Sequence, residues 1–187
     1  SSTCGLTQPA GQLYCWGWMS HSRLGDASVA DIRTVPTLVN TNGLTFTAVA
    51  LAQDGTCGLT ATGGVHCWSN TNASILGDGG PTRAIPSVTP IPNLTATQIS
   101  ASDRAFCVTT TNGQIRCWGN DNSYGQLGTG TTLAVSTPTS VVGLPAGVVM
   151  REVRFSSWTS TCGISTTGRM FCWGYNAGGQ LGNGTTV

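Results

Sequence analysis

The apolar residues of this chain fall in short runs, and the runs return at a fixed spacing. A Cys-Trp pair occurs four times, at Cys15-Trp16, Cys67-Trp68, Cys117-Trp118 and Cys172-Trp173, and ten or eleven residues before each second cysteine stands another: Cys4, Cys57, Cys107 and Cys162. Two residues before the pair is an apolar side chain (Leu13, Val65, Ile115, Met170), and four before it a glycine (Gly11, Gly63, Gly113, Gly168). Polar and apolar positions alternate on both sides of that glycine. In the third copy the runs flank Asn112-Gly113, which predicts two antiparallel strands joined by a tight turn, both residues tolerating positive φ.

Further apolar runs frame each hairpin. Candidate strands precede it at 47–51, 97–101 and 151–155. Leu-Gly follows each tryptophan by eight or nine residues (Leu24-Gly25, Leu76-Gly77, Leu127-Gly128, Leu181-Gly182). A polar stretch then leads to a proline and a β-branched run at Pro36-Thr37-Leu38-Val39, Pro86-Ser87-Val88 and Pro138-Thr139-Ser140-Val141-Val142. Proline suits an edge strand, where its missing N–H costs no ladder bond. One repeat is therefore an inner strand, the cysteine hairpin and a proline-bearing outer strand. Four-stranded units at 50 to 55 residues predict an all-β fold, a β-propeller of antiparallel blades.

The expected organisation is one propeller segment over 1–187, with repeats at approximately 1–46, 47–96, 97–150 and 151–187. The first copy starts inside its hairpin and the fourth stops before an outer strand, so both are expected to be incomplete blades of a longer propeller. Hairpin geometry also selects a cysteine pairing. Each pair lies equally far from its turn, on neighbouring strands at disulfide distance. The expected bonds are Cys4–Cys15, Cys57–Cys67, Cys107–Cys117 and Cys162–Cys172. Zinc is disfavoured, because no Cys-x-x-Cys occurs and only His21 and His66 could supplement thiolates.

Composition narrows the partners. Charged residues make up 8% of the chain, lysine is absent, and the net charge is +1, which removes the electrostatic case for nucleic acid or an anionic membrane. No apolar run reaches the length of a membrane span, and no signal peptide is visible, so a mature or internal segment is expected. A cysteine pair in every repeat points to an oxidising compartment, hence an extracellular or cell-surface location. The sequons at Asn72, Asn93 and Asn183 are candidate N-glycosylation sites and fit a secreted glycoprotein.

These residues resemble the repeat family of the regulator of chromosome condensation, whose repeat reads roughly Gly-x-Val-Tyr-x-Trp-Gly-x-Asn-x-x-Gly-Gln-Leu-Gly. The fourth copy is most similar, with Gly168, Trp173-Gly174, Asn176 and Gly179-Gln180-Leu181-Gly182. The third keeps Trp118-Gly119 and Gly125-Gln126-Leu127-Gly128 with one residue inserted, and the first keeps Trp16-Gly17. The second departs furthest, with Ser69 after its tryptophan. The resemblance implies a seven-bladed ring, and the cysteines resemble those of the secreted branch. Known members share a scaffold and no common chemistry, so it does not choose a function.

The search for chemistry is largely negative. The seven acidic residues fall at different repeat positions, and neither a nucleophile elbow nor a phosphate-binding loop is present. Asn120-Asp121-Asn122 lacks the spaced ligands of a calcium loop. No catalytic residue, metal or cofactor is therefore assigned, and an enzyme is not expected. The recurring tryptophans read as packing. Trp18, Trp158 and Tyr175 have no such repeat-wide equivalence and are candidate partner contacts, together with Arg23 and Tyr124 in the long connections 16–36 and 118–138. Those connections are expected to share one face, with their Leu-Gly segments alternatively folding back to seal neighbouring blades. The expected function is a non-enzymatic interaction or structural module of a surface, wall or filament protein, binding a protein or itself. The alternative is a secreted glycan-binding or enzyme-inhibitor propeller.

Overall fold

A computed structural model describes residues 2–18, 32–69, 74–80, 85–156 and 159–187. Every sheet in it is antiparallel. The first holds β1 (Ser2–Leu6), β2 (Leu13–Trp18) and β3 (Ile32–Leu38) in that order. The second runs through β4 (Ala48–Leu51), β5 (Thr56–Leu59), β6 (Gly64–Ser69), β7 (Ile85–Ala101), β8 (Ala105–Thr110), β9 (Ile115–Gly119) and β10 (Val135–Ser140). The third holds β11 (Met150–Phe155), β12 (Ser160–Ser165) and β13 (Met170–Gly174). A 3-10 turn at Ser74–Leu76 lies between β6 and β7.

The seven-stranded sheet is two blades sharing one strand. The first half of β7 pairs with β6, through Ile85, Thr89 and Pro90, and its second half pairs with β8 from Ala96 to Ala101. The separate runs around Pro86 and 97–101 are thus one 17-residue strand. It bends between its halves, where Asn93 takes φ 57° and the register shifts, while Ile91 and Leu94 stay buried on either side. A bulge turns the chain without ending the strand.

Each hairpin holds its cysteines directly opposite, and all four bonds form within a blade: Cys4–Cys15, Cys57–Cys67, Cys107–Cys117 and Cys162–Cys172, each with Cα atoms 4.1 Å apart. The turn differs from the one the Asn-Gly pair predicts. Gly113 has φ 75°, but Asn112 is not among the positive-φ residues. Gly113 N–H donates to Thr110 O at 2.9 Å and Thr110 N–H to Gln114 O at 2.8 Å, a type I turn closed by a left-handed glycine. The Asn112 side chain accepts instead from the Thr110 hydroxyl. Gly63 and Gly168 repeat this arrangement.

The turn glycine has a second task. Its carbonyl accepts from the start of the next blade: Phe46 N–H to Gly11 at 2.9 Å, Ala96 to Gly63 at 2.8 Å and Met150 to Gly113 at 2.8 Å. A Cβ on Gly11 would stand 2.7 Å from the Phe46 carbonyl oxygen, so any side chain there would push the blades apart.

Apolar packing lies between blades as well as within them. Leu13, Cys15, Val39 and Phe46 pack with Trp68; Val65, Ile75 and Ile91 pack with Phe106 and Trp118; Ile115, Leu127, Met150 and Val153 pack with Trp173. Each layer is closed by the tryptophan of the later blade. A fully buried tryptophan removes on the order of 200 Å² from water, about 5 kcal/mol as an upper estimate.

Strand alternation sorts the connections onto two faces. The cysteine-hairpin turns and the passages 39–47, 91–95 and 141–149 lie on one. The turns 52–55 and 102–104 and the facing ends of β11 and β12 lie on the other, with the 3-10 turn after β6 and the loops that follow β9 and β13. Each loop is rooted beside the inner turn of its own blade: Asn120 N–H donates to Arg104 O at 3.1 Å, and Tyr175 N–H to Thr159 O at 2.9 Å.

Candidate functional site

Two of the loops on this face, those after β9 and β13, are each built around one asparagine. Asn122, buried in the β9–β10 connection, donates through Nδ2 to the carbonyls of Thr131 and Leu133, both at 2.9 Å, and accepts Leu127 N–H through Oδ1 at 2.9 Å. Asn176 makes the same three bonds after β13, donating to Thr185 O at 3.1 Å and Val187 O at 2.9 Å and accepting Leu181 N–H at 3.0 Å. Gln126 and Gln180 accept a backbone N–H two residues earlier, from Tyr124 at 3.0 Å and Gly178 at 2.9 Å. A satisfied side-chain amide thus substitutes for secondary structure in each loop.

The middle of the β6–β7 loop and of the β9–β10 loop belongs to packing. The Trp118 indole N–H donates to Ile75 O at 3.0 Å, just before Leu76-Gly77. The Trp173 indole N–H donates to Gln126 O at 3.0 Å, just before Leu127-Gly128, and the Thr161 hydroxyl reaches the same oxygen at 2.7 Å. The Leu-Gly segments at 76–77 and 127–128 therefore seal one blade against the next. No local sequence pattern reveals that bond. A signal for the asparagines does exist, since in copies three and four an Asn stands five residues before the Leu.

The loops after β9 and β13 each keep one large aromatic side chain in solvent. Tyr124, from the third blade, and Tyr175, from the fourth, meet edge to face with ring centroids 4.8 Å apart and planes at 64°. They are 50% and 37% exposed, and neither phenolic hydroxyl has a hydrogen-bond partner among the described residues. Two of the five candidate contacts are thus brought together across a blade boundary, although they occupy different repeat positions. Beside Tyr124, Asp121 accepts from the Ser123 hydroxyl at 3.1 Å and its N–H at 3.3 Å, so this carboxylate ties the loop locally. Trp18 ends β2 opposite Ile32 and is 58% exposed. Arg23 and Trp158 lie outside the described residues.

Inward on the same face, three successive inner strands end around a polar pocket of about 330 Å³ lined by Leu51 and Gln53, Ala101 to Asp103, and Phe155 and Ser156. Gln53 N–H donates to Asp103 O at 2.6 Å and holds two of the turns together. Arg104 lies 3.6 Å from the Asp54 carboxylate and 3.4 Å from the Gln53 amide oxygen. The Asp103 carboxylate has no ion pair among the described residues. Isolated in sequence, Asp103 becomes part of a site only when three blades stand side by side.

The remaining candidates are placed as follows. Asn93 is exposed on the hairpin-turn face, away from the tyrosines. Asn183 is exposed, and its Oδ1 accepts from Thr185 N–H at 3.0 Å and the Thr185 hydroxyl at 2.8 Å. Asn72 and His21 lie outside the described residues. His66 faces Phe46 in β6 at 6.2 Å, and burial lowers its pKa while a backbone bond at Gly64 opposes the shift. Among the described residues no group of three His, Cys, Asp or Glu side chains could hold a metal ion.

Fold and repeats together define the class: an all-β protein of propeller blades. The Regulator of chromosome condensation (RCC1) repeat matches at residues 96–126 and again at 112–162. Human WBSCR16 is similar in structure with a TM-score of 0.79 and 22% identity over 99% of this chain and 48% of its own. Yeast RCC1 (Prp20) has a TM-score of 0.72 and 21% identity over 93% of this chain and 40% of its own. The ectodomain of the Physcomitrella patens receptor kinase CR4 has 0.57 and 21% over 94% and 39%. The chain thus spans half or less of each of these structures, and at such identity they establish the fold alone. No curated protein sequence matches the chain significantly.

Proposed function

We propose that this chain is a non-enzymatic extracellular interaction module that holds a protein partner against its loop face. The observation that carries the reading is the Tyr124–Tyr175 pair, two large side chains left partly in solvent at a blade boundary with their hydroxyls unpartnered among the described residues. Tyrosine offers contact area at low entropic cost, and such residues concentrate binding energy. The asparagine-pinned loops hold the pair in place before any partner arrives. The Asp103 pocket on the same face offers a carboxylate to a basic group. Yeast RCC1 (Prp20), whose fold is similar, is seen bound to Kap60, and its binding to Gsp1p and histones has been studied. The extracellular placement rests on the chemistry of the cysteines: all eight are paired, and such bonds persist in oxidising compartments.

A glycan is the second reading, favoured by the lack of a lysine or arginine beside the aromatic pair in the sequence around it and by its serine and asparagine neighbours. One comparison decides between them. The wild-type chain and a Tyr124→Ala/Tyr175→Ala variant are immobilised, exposed to the extracellular proteins of the source, and separately probed on a glycan array. A protein retained by the wild type and lost by the variant, at unchanged thermal stability, supports the proposal. Specific array binding moves the assignment to the glycan. Equal retention by both chains overturns the loop face as the contact surface.

A further inference from the structure

We infer that Tyr124 and Tyr175 form a site of oxidative cross-linking, at which the two phenols couple into dityrosine and tie the third blade to the fourth. The proposal uses the side chains of the contact reading but needs no partner, so the two fail separately. Four observations support it. The rings already touch, with centroids 4.8 Å apart, so radical coupling between them needs a small reorientation and no diffusion. Both are exposed, so an oxidant reaches both rings, and the space beside Gly125, where a Cβ would find nothing within 4 Å, leaves the Tyr124 ring uncrowded on that side. All eight cysteines are in disulfides, which leaves no free thiol to consume an oxidant first. Every disulfide lies within a blade, so blades are held to one another only by the main chain and by non-covalent contacts.

The oxidant is hydrogen peroxide acting through a haem peroxidase, a class of reagent found where disulfides persist. Each phenol gives up one electron and its hydroxyl proton to become a phenoxyl radical whose spin extends to the ring carbons ortho to oxygen. The two radicals join by an ortho carbon–carbon bond. Each joined carbon then releases its hydrogen as a proton, and each oxygen takes one up, restoring two aromatic phenols. Two tyrosines and one peroxide give one dityrosine and two waters, so the protein loses two hydrogen atoms. The bond would close a loop between positions 124 and 175 and so constrain the unfolded chain, as a disulfide does.

The chain contains one other tyrosine, Tyr14 in β2, which serves as the control. The purified 187-residue chain is treated with haem peroxidase and limiting hydrogen peroxide, then followed by dityrosine fluorescence, non-reducing electrophoresis and peptide mass mapping. The expected product is a fluorescent monomer, two hydrogens lighter, with the peptides carrying 124 and 175 joined and a raised melting temperature. Tyr124→Phe and Tyr175→Phe keep the ring contact and should each abolish it, whereas Tyr14→Phe should not. Oxygen addition at exposed Met170 is resolved by its different mass. Dityrosine through Tyr14, intermolecular dimers alone, or no dityrosine under conditions that couple free tyrosine would overturn the inference.

Discussion

The residue after the first cysteine of each hairpin is Gly5, Gly58, Val108 or Gly163, and the same substitution there should have opposite consequences in different blades. None of the three glycines has a positive φ, so backbone strain does not enter and the space around a new Cβ decides. At Gly58 that Cβ would stand 2.6 and 2.7 Å from Cδ1 and Cε1 of Phe46, about 1 Å inside a normal carbon–carbon contact. Phe46 is buried and lies against Trp68 with centroids 6.0 Å apart, so its ring cannot yield alone. Gly58→Ala should therefore cost about 2–3 kcal/mol, the upper part of the range for overpacking. At Gly5 the nearest atom, Trp16 Cη2, is 3.8 Å away, and Gly5→Ala should stabilise by about 0.5 kcal/mol, since alanine loses less backbone entropy. Gly163→Ala should fall between, near 1 kcal/mol, because the obstacles are the movable ends of Met150 at 2.6 Å and Ile115 at 2.7 Å. Urea unfolding of the three variants measures the order. A Gly58→Ala chain as stable as wild type, or a Gly5→Ala chain less stable than it, would refute the packing argument.

Three further outcomes test other parts of the structure. Trp118→Phe leaves the Ile75 carbonyl unpaired in the second blade boundary and should cost about 2–3 kcal/mol by chemical denaturation. Asn122→Asp keeps the acceptor for Leu127 N–H but loses both donations, to Thr131 and Leu133, so hydrogen exchange across 120–134 should accelerate while β8 stays protected. Burial holds the pKa of His66 below 6.5, so the unfolded chain takes up a proton first. Stability should accordingly decline as pH falls through 6.5 and level off once the folded histidine protonates. His66→Phe, which copies Phe171 of the fourth blade, should remove this part of the slope, and an unaltered pH profile would show that another group carries it.

What the sequence determined by itself was the strand pairing and cysteine partnership within one hairpin. The cysteine partners are ten or eleven residues apart, so their pairing follows from the alternation of polar and apolar positions around a single turn. The four-stranded unit and its proline-bearing outer strand were legible for the same reason, because strand period and turn chemistry are local. Asn112-Gly113 marked the turn but not its form, since Asn112 met its hydrogen-bonding need without entering the left-handed region. The tertiary structure decided what depends on one blade meeting another. Trp118 finds its acceptor 43 residues away and Trp173 finds its own 47 away, which assigns the middle of each of those two loops to packing. Tyr124 and Tyr175 come from unlike repeat positions, and Asp103 joins Gln53 and Ser156 only around the ends of three strands. A repeat pattern records what every unit shares; these sites arise from what neighbouring units do not share, and only the juxtaposition of blades fixes their distances.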